Sequence, residues 1–229
     1  MTLDEVMNEL KSLRNDSVYK HNEKAGAGDN QFGVRTTDIR TVAKAIKSDP
    51  TLAAALWKTG NADAMLLATL IMRPKLLSTD EVETMVRSVS YSHVADWFNS
   101  NVVKQHPQKE ELRQKWMAAN DPATNRAAWS LTTELVNKNP SGLDIDGLLD
   151  QIEKNMGGGV EENAKWTMEN PKWTMNYCLA SIGIEFPEYR ARAIALGEKL
   201  GAFRDFPCSK GCVSPYAPSW IAEMVSRRG

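Results

Sequence analysis

Asp49-Pro50-Thr51-Leu52-Ala53-Ala54-Ala55-Leu56-Trp57-Lys58-Thr59-Gly60-Asn61-Ala62-Asp63-Ala64-Met65-Leu66-Leu67-Ala68-Thr69-Leu70-Ile71-Met72-Arg73-Pro74 is the stretch on which the fold turns. Asp49 offers an oxygen to the unbonded amides of a helix start, and Pro50 sits at the first helical position, where a missing N–H costs nothing. Gly60 stops that helix, a second occupies 61–73, and Pro74 cannot continue it. A connector this short folds the second helix back on the first, so 50–73 reads as an antiparallel hairpin.

The same punctuation recurs in both directions. Asp121-Pro122 repeats the Asp-Pro start, and Thr2 with Glu5 and Ser78 with Glu81 have the spacing of a reciprocal capping box. Helices therefore start near 2, 50, 79 and 122. Further ones are expected at 37–48, 61–73, 92–105, 108–119, 143–155, 161–183, 187–200 and 216–227, with stops or kinks at Gly60, Pro74, Pro107, Pro140, Pro171, Pro187 and Gly201. About a dozen stretches carry apolar residues at i, i+3, i+4 and i+7, and no run of alternating β-branched residues competes with them. The pairs 50–73, 79–105 and 108–136 match in length without a repeated sequence signature. The pattern predicts an all-α chain, an α-solenoid of stacked hairpins rather than a compact bundle, forming one domain over 1–229.

Bulk properties exclude several classes. The chain has 229 residues, 42% hydrophobic and 25% charged, with no low-complexity tract to divide it. It begins with the acidic, capped Thr2-Leu3-Asp4-Glu5, and no apolar run approaches the ~20 residues that span a bilayer, so we expect a cytoplasmic protein without a membrane partner. Three cysteines make no disulfide framework. A net charge of −1 gives no global basic bias, so any binding of nucleic acid must come from a local patch.

Several stretches stand out against the helical background. Residues 19–35, containing Gly26, Gly28 and Gly33, are non-periodic and read as a turn between the first two helices; they follow no strand and form no nucleotide-binding fingerprint. In 96–103, three- and four-residue spacings place Val94, Phe98, Asn101 and Val102 on one stripe and Asp96, Asn99 and Val103 on another. In Asn125-Arg126-Ala127-Ala128-Trp129-Ser130-Leu131, Arg126 lies beside an Ala127, Leu131, Leu135 edge; residue types alone favour a bridge to Asp96 on an adjacent repeat, and its planar fork also suits a phosphate. Lys-Trp-Thr-Met occurs at 165–168 and again at 172–175, which puts Lys165 with Lys172 and Trp166 with Trp173 on common helical faces. Such a face either stacks on nucleic acid or packs its tryptophans inward under snorkelling lysines. His21, His93 and His106 lack ligand partners at metal spacing, Cys208 and Cys212 form a lone pair, and Cys178 lies in an apolar helical pattern. We expect no metal and no cofactor.

Tyr19, the run Phe32-Gly33-Val34-Arg35-Thr36-Thr37-Asp38-Ile39-Arg40, the 96–103 segment, Asn125-Arg126-Ala127-Ala128 and Gly211-Cys212-Val213-Ser214-Pro215 together resemble the HEAT-like-repeat DNA alkylation repair family. The resemblance spans nearly the whole chain. It implies a curved solenoid of HEAT-like antiparallel helical hairpins whose concave face cradles double-stranded DNA. In active members it also implies an alkylpurine glycosylase that excises cationic bases without flipping them into a pocket. Tyr19 matches a tyrosine near the DNA, and Arg126 an arginine beside the backbone at the lesion. Active members carry a Trp-Asp-x-Val-Asp run. Here the chain reads Ala95-Asp96-Trp97-Phe98-Asn99, so the first aspartate is kept as Asp96 and the last becomes Asn99; a register that aligns Trp97 with the tryptophan puts Asn101 in that place. An amide keeps the shape of the carboxylate but not its charge or basicity, and both are what stabilise a developing glycosyl cation or activate water.

The resemblance therefore implies a monomeric DNA-binding protein related to the alkylpurine glycosylases of base excision repair, with weak or lost activity. Asp96, Asn99 and Asn101 are its candidate catalytic positions. Tyr19, Lys20, Arg35, Arg40, Trp97, Arg126, Lys172 and Trp173 are its candidate DNA contacts, and the partner is double-stranded DNA, damaged or distorted. A basic stripe joining Lys20, Lys24, Arg35, Arg40 and Arg126 would favour DNA. A neutral apolar groove would favour the alternative, a protein-interaction scaffold using the same face. A slow but genuine glycosylase, with Asp96 acting from one turn away, is the third reading.

Overall fold

The computed structural model describes residues 1–157, 171–208 and 211–228. Among the described residues there are thirteen α-helices, two short 3-10 turns (Pro74–Leu76 and Val103–Gln105) and no strand. In chain order they are α1 (Leu3–Ser12), α2 (Asp16–Lys24), α3 (Thr36–Ile46), α4 (Pro50–Lys58), α5 (Ala62–Ile71), α6 (Thr79–Arg87), α7 (Ser92–Asn101), α8 (Lys109–Met117), α9 (Pro122–Lys138), α10 (Ile145–Met156), α11 (Pro171–Glu185), α12 (Pro187–Leu200) and α13 (Ala217–Ser226). The chain is all-α. It divides into two compact units, Met1–Lys109 and Glu110–Gly229.

Local chemistry explains most of the boundaries. Both capping boxes form: Glu5 N donates to Thr2 Oγ1 (3.2 Å) and Thr2 N to Glu5 Oε2 (2.8 Å), with the same exchange between Ser78 and Glu81. Asp49 and Asp121 accept from the amides of Leu52 and Thr124, each at 2.9 Å, ahead of a proline in the first turn. One expectation needs correction. The chain from Tyr19 to Lys24 is not part of a turn but belongs to α2. Asn15 caps that helix by accepting from Val18 N (3.0 Å), and Asp16 and Lys24 complement its dipole, yet only Asn22 is fully buried. A helix held by its ends and lacking an apolar stripe has no periodicity to detect. The expected helix over 161–183 is described from Pro171 onward; its first part lies outside the described residues.

In unit 1, α5 is the central element. Every residue from Ala62 to Ile71 except Leu70 is buried, and α3, α4 and α7 pack around it. A helix apolar on all sides is stable only when surrounded, and Leu66, Leu67 and Ile71 each contribute about 1.5–3 kcal/mol by leaving water. The Trp57 and Phe98 rings, 4.8 Å apart, join α4 to α7. In unit 2 the corresponding role falls to α11, which packs against α9, α10, α12 and α13. Gly183 permits this closeness, since a Cβ there would lie 2.5 Å from Ile221 Cδ1 of α13.

Candidate functional site

Asp63 organises the surface of unit 1. This fully buried carboxylate on α5 accepts hydrogen bonds from three successive backbone amides, those of Phe32 (2.6 Å), Gly33 (3.0 Å) and Val34 (2.9 Å). A buried carboxylate is tolerated only when donors replace its lost hydration, and three amides do so here. The neighbouring loop residues are tied as well. Asn30 Nδ2 donates to the Thr59 carbonyl (3.0 Å), and Gln31 Nε2 to the carbonyls of Gly28 (2.9 Å) and Tyr19 (3.4 Å). Gly33 adopts φ +76°, and a Cβ there would lie 2.6 Å from the Tyr19 backbone, so only glycine lets the loop close onto α2. The non-periodic stretch is thus a built connection that fixes Tyr19 on α2 and Arg35 at the N-cap of α3. Residue spacing did not single out Asp63; a lone charge within Ala62-Asp63-Ala64-Met65-Leu66-Leu67 is the signal that marks it.

Two of the expected contacts meet across helices. The Arg40 guanidinium of α3 lies over the Trp97 ring of α7, 4.9 Å from its centroid. Arg40 is exposed and Trp97 half-buried. His93, one turn back on α7, stands edge-on to Trp97 with centroids 5.6 Å apart and to Tyr91 at 5.9 Å. Burial is the main cause that lowers the His93 pKa from its ordinary value; Asp96 and Asp63 oppose it, while Arg40 and His21 reinforce it. The Tyr91 phenol is shifted up, chiefly by burial and then by Asp63. Arg14 lies over the Tyr19 ring at 4.6 Å and pairs with Asp16 at 2.9 Å. Lys20, Lys24 and Arg35 are exposed on this same unit.

The 96–103 segment separates its polar groups by depth. Asp96 is exposed, whereas Asn99 is only 5% exposed. Asn101 donates from Nδ2 to Thr69 Oγ1 (3.1 Å), and Thr69 in turn donates to the Leu66 carbonyl (2.8 Å), so Asn101 fastens α7 to α5. In unit 2, Arg126 is 6% exposed, as buried as the neighbouring Ala127. Lys172 and Trp173 are half-buried at the start of α11. Trp173 is packed by other rings: Phe203 at 4.9 Å, Phe206 at 5.4 Å and Tyr177 at 5.5 Å. The paired Lys165 and Trp166 lie outside the described residues. Burial pushes the Cys178 thiol up to about 12, which makes it a core residue and not a nucleophile. Among the described residues no group of three His, Cys, Asp or Glu side chains is placed to hold a metal ion. No helix among them is long and apolar enough to cross a membrane.

Comparison with known proteins adds three findings. The model of a family described as DNA alkylation repair enzyme matches residues 6–181. Uncharacterized proteins of Listeria innocua and Listeria monocytogenes are each 20% identical to this chain, covering 99% of it and 99% of their own lengths. A solved structure described as a new family of proteins related to the HEAT-like repeat DNA glycosylases, with affinity for branched DNA structures, superposes with a TM-score of 0.76 at 24% identity, over 100% of this chain and 95% of its own. That last likeness is one of fold, and it agrees with the hairpin architecture read from the sequence.

Proposed function

This chain belongs to the DNA alkylation repair enzyme family, and we propose that it is a cytoplasmic protein that binds damaged or distorted double-stranded DNA, with base-excision chemistry weak or lost. The observation that carries this reading is the Arg40 guanidinium laid over Trp97 at the surface of unit 1. A guanidinium stacked on an indole is pre-oriented, so its planar fork loses less freedom on gripping a phosphate than a free lysine would. Exposed Lys20, Lys24 and Arg35 add charge on the same unit, consistent with contacts to backbone rather than to base edges.

Base excision needs a carboxylate beside the glycosyl cation, and this helix offers amides there. Asn99 and Asn101 are amides in either register, one buried and one tied to Thr69, and an amide neither offsets a glycosyl cation nor deprotonates water. Asp96 is the carboxylate left on this helix, and it faces outward. The fold relative's affinity for branched DNA makes a nick or junction the first distorted form to try.

Anisotropy titrations of plain, nicked, branched and methylated duplexes at several salt concentrations test the binding. Affinity is expected to fall steeply with salt, as it does when cations displace counterions from phosphates. Undetectable binding to all four at low salt would overturn the DNA reading in favour of a protein-interaction scaffold. In parallel, single-turnover release of 7-methylguanine and 3-methyladenine is expected not to exceed the spontaneous rate. Fast release that disappears in Asp96→Asn would show instead that Asp96 has taken over the catalytic role.

A further inference from the structure

We infer that His93 is a further DNA-contacting residue, which takes up a proton as a backbone phosphate settles beside Arg40, so that binding and protonation are coupled. The inference rests on the DNA-binding reading above. His93 and Trp97 are four residues apart on α7 and therefore share a face, and the rings meet edge to face at 5.6 Å. The indole that carries Arg40 on its face is thus also in perpendicular contact with an imidazole. Tyr91 meets the same imidazole at 5.9 Å, and His93 is half-buried, so part of the ring is open to solvent.

The charged groups that act on His93 come from four helices: His21 of α2, Arg40 of α3, Asp63 of α5 and Asp96 of α7 itself. Two carboxylates invite a proton, while a neighbouring guanidinium, a second imidazole and partial burial repel it. In the free protein the repulsion and burial win, and the ring is neutral at physiological pH. A phosphate drawn to Arg40 reverses that balance. Its negative charge offsets the guanidinium, and the imidazole then gains from becoming a cation, because two donors on a compact anion are better than one. The proton comes from solvent on binding and returns to it on release, so at most one proton is exchanged per site. Asp63 has a separate duty, since its oxygens are engaged by the amides of residues 32–34, which leaves Asp96 as the carboxylate next to the ring.

The test is the affinity for a short duplex at constant ionic strength from about pH 8 down to about pH 5.5, the range over which an imidazole titrates. The wild type is expected to tighten roughly tenfold, the equivalent of a pKa displaced by about one unit. His93→Gln is expected to be flat across the range, and His21→Gln to keep the slope. An unchanged slope in His93→Gln, or a slope lost only in His21→Gln, overturns the proposal. Imidazole resonances of the wild-type protein provide a second readout that needs no variant to fold. The His93 midpoint is expected to rise when duplex is added, and an unmoved midpoint counts against the coupling. Binding without any pH slope overturns this inference alone, whereas no binding at any pH overturns the DNA reading with it.

Discussion

Trp97 in unit 1 and Trp173 in unit 2 both lie on helices, both are half-buried, and both were candidates for contact with nucleic acid. Their surroundings differ. Trp97 has a guanidinium over its face and an imidazole in perpendicular contact, and the loop that leads into α3, Arg40's helix, is held by hydrogen bonds to Asp63. Trp173 is enclosed by Phe203, Phe206 and Tyr177, and Tyr177 in turn meets Trp220 at 4.4 Å. Rings packed on rings fill volume and exclude water. A ring packed under an exposed cation holds that cation ready for an anion. The same residue type therefore serves two purposes: in unit 1 it lies under a cation beside a loop held by polar ties, and in unit 2 it packs against other rings.

The contrast between the two units depends most on Asp63. Asp63→Ala leaves three backbone amides without their acceptor, those of Gly33 and Val34 buried, and the loss is expected to be about 3 kcal/mol or more, read from denaturant unfolding. Asp63→Asn, which keeps one acceptor oxygen, should fall in between. A cost below about 1 kcal/mol for the alanine variant would mean that the polar ties of unit 1 carry little, and the contrast between the units would collapse.

Next in size is Trp173→Ala. Removing a half-buried indole from an aromatic cluster is expected to cost about 2–3 kcal/mol, less than a full core truncation, with DNA affinity of the folded protein little changed. The reverse result, intact stability with affinity reduced tenfold or more, would move Trp173 from packing to a stacking surface and break the comparison.

The smallest effect on stability, and the sharpest on binding, is expected from the ledge. Arg40→Ala and Trp97→Ala should each weaken duplex binding roughly tenfold, and Arg40→Ala should change unfolding free energy by no more than about 1 kcal/mol. Arg40→Lys should recover only part of the affinity, because an ammonium keeps the charge and loses the fork. Full recovery by lysine would show that stacking on Trp97 adds nothing to the contact.

Much of the fold was legible because its determinants are local. Capping boxes at Thr2 and Ser78, the Asp-Pro starts at 49 and 121, and the breaks at Gly60 and Gly201 each act within one turn of chain, and the helices obey them. α2 escaped because capping and dipole complement, not an apolar stripe, sustain it. The site was legible only in part. The resemblance named Arg40, Trp97 and the amides at 99 and 101 as candidates, whereas the burial of Arg126 is written in no neighbouring residue. Asp63 and His93 went unassigned because neither makes a motif with its sequence neighbours; their partners come from other segments.

The sequence by itself determined that this chain is helical, where most helices begin and end, and which family it resembles, since hydrogen bonding within a turn and apolar periodicity are written in consecutive residues. Only the tertiary structure decided that Arg40 lies on Trp97, that three amides of one loop close on Asp63, that Asn99 is buried while Asp96 faces out, and that Trp173 belongs to a cluster of rings. These depend on which faces of distant helices meet, and that is settled by packing of the whole apolar surface of each unit, a quantity that no stretch of adjacent residues contains.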